Sequence, residues 1–85
     1  MQAVTELRID WFQVITSLGR AGYSLSAVAS AIRVPKGTLT GWKQGAEPRY
    51  SDGERLVQLW CQITGRDRTD LPTCRTADWW AYHSK

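Results

Sequence analysis

Apolar residues return along this chain in four bursts at helical intervals, with glycine, proline and polar residues between them. Leu7, Trp11, Val14, Ile15 and Leu18 fall at i, i+4, i+7, i+8 and i+11, which predicts one stripe of a first helix. Thr5 is placed to cap its start, and Gly22, just past Arg20, supplies a left-handed stop. Leu25, Val28, Ala29 and Ile32 give a second, short helix with Ser24 as its N-cap. Val34 precedes a proline and so avoids helical angles, while Pro35 suits the first turn of a third helix. Leu39 and Trp42 form that helix's apolar side, Gly45 ends it and Pro48 prevents its resumption. Ser51 and Glu54 have the spacing of a capping box. They predict the start of a fourth helix, whose stripe is Leu56, Leu59, Trp60 and Ile63, with Val57 and Cys61 beside it and Gly65 at its end.

Residues 66–70 read as a polar loop, and no run alternates well enough for a strand. The pattern therefore predicts a small all-α domain of four to five helices over residues 1–70. An aromatic tail, residues 71–85, follows. Within it Trp79, Trp80 and Tyr82 fold back on the first and fourth helices, form a subunit interface, where aromatic residues are over-represented, or stay exposed as rings on which bases could stack. Eighty-five residues allow one modest core.

Charge changes the picture locally. The formal net charge is +3, mildly basic. Arg33, Lys36, Lys43 and Arg49 face the single acid Glu47 in the window 33–49, so that window alone equals the charge of the whole chain. This balance permits nucleic-acid binding without requiring it.

Catalytic chemistry finds no support. One histidine, His83, lies near the end, and no phosphate-cradling glycine loop is present. Cys61, Cys74 and His83 stand at no zinc-finger spacing, so the cysteines read as reduced packing thiols. We expect no enzyme activity, no cofactor, no metal and no small-molecule substrate. Glu6, Arg8 and Asp10 break any early apolar run, and no membrane-spanning stretch exists, which points to a cytoplasmic protein without a membrane partner.

Two short helices joined by a tight turn in a small basic helical domain suggest a helix-turn-helix. From Ser24 to Gly45 the chain resembles the Cro and lambdoid-repressor family. That family's pattern reads approximately S-Q-x-x-L-A-x-x-L-G-V-S-x-x-T-I-S-x-W-x-x-G. The matches are Ser24, Val28, Ala29, Ile32, Val34, Thr38, Leu39, Thr40, Trp42 and Gly45. They cover about a quarter of the chain. The resemblance implies a motif core of Val28, Ala29, Ile32, Val34, Leu39 and Trp42, with the third helix (about 35–44) entering the major groove of double-stranded DNA. It places Lys36, Gly37, Thr40, Gly41 and Gln44 on the base-reading face. Arg33, Lys43, Arg49 and Tyr50 would contact phosphates, as could the first amides of the fourth helix at Asp52 and Gly53, against the repulsion of the Asp52 charge.

Three departures stand out. Arg33 replaces the turn glycine, Pro35 the serine cap, and Leu25 the glutamine that often grips a phosphate in this family. Gly37 and Gly41 each cost about 1 kcal/mol of helix propensity against alanine. Either a bare backbone lets the helix sit deep in the groove, or the helix is weak and reads little. The size and the resemblance imply a phage- or prophage-type transcription regulator, repressor-like, for which a monomer or homodimer is expected, whereas a higher oligomer would point to the alternative. The alternative is a DNA-recognition or assembly module of a phage-type packaging or recombination complex. A smaller third reading is a helix-turn-helix that has lost DNA binding and contacts only protein.

Overall fold

In the computed structural model, which describes residues 7–75, four α-helices enclose one core and a two-stranded sheet ties the ends together. The order is β1 (Leu7–Ile9), α1 (Trp11–Arg20), α2 (Leu25–Ile32), α3 (Lys36–Lys43), α4 (Tyr50–Thr64), a 3-10 turn (Arg68–Asp70) and β2 (Thr73–Arg75). No helix among the described residues is long and apolar enough to cross a membrane.

The stripes read from the sequence meet in the core. Val14, Leu18, Val28, Ile32, Leu39, Leu56, Val57 and Trp60 are its fully enclosed side chains, with Trp11, Ile15, Ala29 and Trp42 at its edges. Ala29 is small and buried, and α2 packs beside α3. The polar end of Trp60, the most deeply buried tryptophan among the described residues, is satisfied. The Trp60 indole donates to Ser17 Oγ at 2.9 Å, and that hydroxyl donates to the Val14 carbonyl at 2.8 Å. A buried indole N–H without such a partner would carry a desolvation penalty.

Three expected details are corrected. The first helix does not include Leu7, and Thr5, the expected cap, lies outside the described residues. It starts at Trp11, with Asp10 as N-cap accepting from the Gln13 amide. Leu7 lies in β1 and is 66% exposed. Antiparallel pairing with β2 (Leu7 opposite Arg75, Arg8 opposite Cys74, Ile9 opposite Thr73) draws these residues straight, and the Asp10 amide donates to the Pro72 carbonyl. The expectation that no strand forms is corrected by the same pairing. These strands are three residues long, too short to show alternation.

The third correction concerns α4. It starts at Tyr50, and its N-cap, Arg49, makes no side-chain capping bond. Glu54 does not reach back to Ser51; it is held by both arms of Arg68, at 2.6 and 2.9 Å. A two-armed guanidinium outcompetes a single backbone amide for a carboxylate. The capping box of this chain lies instead at Asp67 and Asp70, inside the segment expected to be plain loop.

Residues 71–75 are tied into the domain: Leu71 packs against the core and 73–75 form β2. Trp79, Trp80 and Tyr82 lie outside the described residues.

Candidate functional site

α3 is short, and its surface divides by helical geometry. Leu39 and Trp42 point inward and are buried. The Trp42 ring meets Trp11 of α1 with centroids 6.3 Å apart and planes tilted at 47°, which fixes the helix from behind. Lys36, Gly37 and Gln44 are exposed, and Thr40 and Gly41 are half-buried between them. The five base-reading candidates therefore share one outward side.

The ends of α3 are set by backbone chemistry. Arg33 caps α2 in the left-handed conformation, at φ 64° and ψ 45°, and the Val34 amide closes the turn on the Ala29 carbonyl at 3.0 Å. Val34 packs against the core as expected for the plug of the turn. Pro35 offers no side-chain cap to α3. At the other end Gly45 takes φ 113°, and the Ala46 amide returns to the Gly41 carbonyl at 3.0 Å.

The two glycines inside α3 are not required by packing. Apart from its own helix backbone and chain neighbours, a methyl group at Gly37 would meet nothing within 4 Å, and one at Gly41 would meet only Ala46 Cβ, at 3.9 Å. Gly53 in α4 differs. A methyl there would come within 3.3 Å of the Trp11 ring, so that glycine serves the close approach of α4 to α1. Thr40 donates its hydroxyl to the Lys36 carbonyl at 3.3 Å.

The electrostatics could not be read from the local window. Glu47 is engaged from a distance, by Arg8 of β1 at 3.5 Å and by the Trp11 indole N–H at 3.2 Å. Arg8 also donates to the Gly45 carbonyl at 3.2 Å, so it holds the end of α3 as well as the acid. Asp52 is paired with Arg55, whose Nε donates to the Ile32 carbonyl at the end of α2, at 2.9 Å. Both acids near α3 thus have a cationic partner. Among the described residues none of Arg33, Lys36, Lys43 and Arg49 is in an ion pair. Lys43 lies over the Phe12 ring, 5.6 Å from its centroid, which places the ammonium at the α1 side of α3. Tyr50, beside Arg49, is 85% exposed.

Arg8 and Arg55 were missed by sequence reading. For Arg55 a signal existed, since Asp52 and Arg55 stand at i, i+3 on one helix. For Arg8 none did, because its partners lie far along the chain. Of the two amides offered at the start of α4, that of Gly53 is corrected. The Gly53 amide already donates to the Arg49 carbonyl at 2.9 Å, and Gly53 is buried.

Beside α3, a cleft of about 400 Å³ runs between the α2–α3 turn and the start of α4; Arg33, Thr38, Arg49 and Asp52 are among its lining residues. No cluster of three or more metal-ligating side chains occurs among the described residues. No protein-family model, curated protein or solved structure matches this chain.

Proposed function

We propose that the chain binds duplex DNA by laying the outward side of α3 in the major groove, and that it acts as a small sequence-specific transcription regulator of the Cro and lambdoid-repressor type. The observation that carries this reading is the pair of unforced glycines. Gly37 and Gly41 cost helix stability, and no side chain of the fold occupies the space a methyl would take. A close approach by another molecule gives them a purpose. The surroundings agree: four cations without acidic partners among the described residues ring the helix, and the two nearby acids are neutralised by Arg8 and Arg55.

In this reading Lys36 donates to guanine, Gln44 pairs with adenine, and the Thr40 methyl touches a thymine methyl. Arg33, Lys43, Arg49 and Tyr50 hold phosphates and set the register without reading sequence. A groove-facing surface with two bare positions also suits a DNA-holding module of a larger assembly, which needs little sequence preference.

Selection of bound duplexes from a random pool, repeated across salt concentration, tests the proposal. A recovered motif, with affinity falling steeply as salt rises, is the expected result. A bound pool without a motif favours the assembly module. An absence of duplex binding at low salt rules out both and leaves a protein-contacting domain.

A further inference from the structure

Among the described residues Arg33 is the one non-glycine residue with positive φ. The other left-handed positions, at Gly22, Gly45 and Gly65, are glycines, as the absence of a Cβ favours. The fold by itself would accept glycine at 33 with less strain. An arginine held there calls for a use of its side chain.

Arg33 lines the cleft of about 400 Å³ beside α3, and Arg49 lines the same cleft from the α3–α4 loop. Two exposed arginines thus share one concave site with Thr38. Glu47 and Asp52 line it too. Each is already claimed, Glu47 by Arg8 and the Trp11 indole, Asp52 by Arg55. The cleft therefore keeps two cations that no acid among the described residues balances. Like charges gathered in a cleft raise the local concentration of anions.

We infer that Arg33 and Arg49 form a two-guanidinium clasp for a single phosphodiester, at the flank of α3 and apart from its groove-facing side. Planar guanidiniums present paired N–H donors that match phosphate oxygens, so two of them can hold one phosphate from two sides. The inference rests on the DNA reading for its ligand. A helix in the major groove has backbone phosphates on either flank, and the clasp would grip one of them and fix the pitch of α3. It also supplies a function for the departure at position 33, where the resembled family carries glycine.

The test uses the full chain as wild type, Arg33→Gly, Arg49→Gln and the double variant. Affinity for a labelled duplex is measured at several salt concentrations. In parallel, thermal unfolding is followed in inorganic phosphate and in chloride of matched ionic strength. Each single substitution is expected to weaken duplex binding roughly fivefold to tenfold. The double variant is expected to lose less than the product of the two, because both arms serve one phosphate, and its salt slope to fall by about 1. Arg33→Gly is expected to melt at or above the wild-type temperature, so weaker binding cannot be ascribed to unfolding. Inorganic phosphate is expected to raise the melting temperature of wild type and not of the double variant.

Wild-type affinity and salt slope in the arginine variants, with Lys36→Ala still weakening binding, would overturn the clasp and leave the DNA reading in place. If wild type binds no duplex, the DNA reading falls. Phosphate stabilisation that needs both arginines then keeps the clasp, for a phosphodiester from another source, and its absence removes the clasp too.

Discussion

Gly37 poses the sharpest question at the scale of single residues, because folding and binding make opposite demands on it. With nothing within 4 Å beyond its own helix, alanine there is expected to stabilise the fold by up to about 1 kcal/mol. If the bare backbone exists for close approach, the same substitution weakens duplex binding. Urea unfolding and duplex titration of Gly37→Ala give the two readouts, and a variant that is both more stable and fully competent to bind would sink the close-approach argument. Lys36→Ala tests base reading beside it. Affinity for the selected motif is expected to fall while binding to random duplex changes less, as measured by competition. Arg33 shows the same opposition between fold and surface, through backbone strain in place of helix propensity.

Among the elements, α1 and α3 are held by chemistry at their ends. Asp10 is 4% exposed and caps α1, with one carboxylate oxygen bound by the Gln13 amide and the other by the Gln13 side chain at 2.9 Å. Asp10→Ala is expected to cost about 1–2 kcal/mol, read as a lower urea midpoint with an unchanged slope. The α2–α3 turn depends on Arg55, which bonds the Ile32 carbonyl and Asp52 together. Arg55→Ala is expected to cost about 1 kcal/mol and to release the Asp52 charge into the cleft beside Arg33 and Arg49. Its effect on duplex binding should therefore exceed its effect on stability, a split that parallel titration and unfolding can measure.

For the whole molecule, acid sensitivity follows from the bond that fastens the 3-10 turn to α4 and from the bonds inside that turn. The two-armed bond from Arg68, opposed by a smaller desolvation effect, holds the Glu54 carboxyl below its ordinary value of 4.5. Bonds from the Thr69 hydroxyl and amide, with the same opposition, hold Asp67 below 3.8. A carboxyl lowered in the folded state contributes stability above its unfolded value and loses it as pH falls through the folded value. Stability is accordingly expected to be flat near neutrality and to decline once pH drops below the ordinary carboxylate range. Arg68→Ala should flatten part of that decline, which urea midpoints between pH 6 and pH 3 would reveal. Both carboxylates face solvent, so the effect should be modest and reduced by salt.

The sequence by itself determined the four helices, their inward faces and the residues of the core, because 3.6-residue periodicity and glycine and proline punctuation are local signals. Leu39 and Trp42 inward follow from spacing, whereas Lys36, Thr40 and Gln44 outward came with the family resemblance. Tertiary structure decided what depends on partners distant in the chain. Leu7 satisfied the helical spacing of α1, yet β2 claimed it for a strand. Glu54 had the spacing of a cap, yet Arg68 held it more strongly from outside the helix. Glu47 counted in full against a basic window, yet Arg8, which donates to a carbonyl 37 residues away, also pairs with it. Spacing records what a residue can do within its own element. Competition among distant donors for one carboxylate or one backbone edge is settled only when folding brings them within a few ångströms of each other.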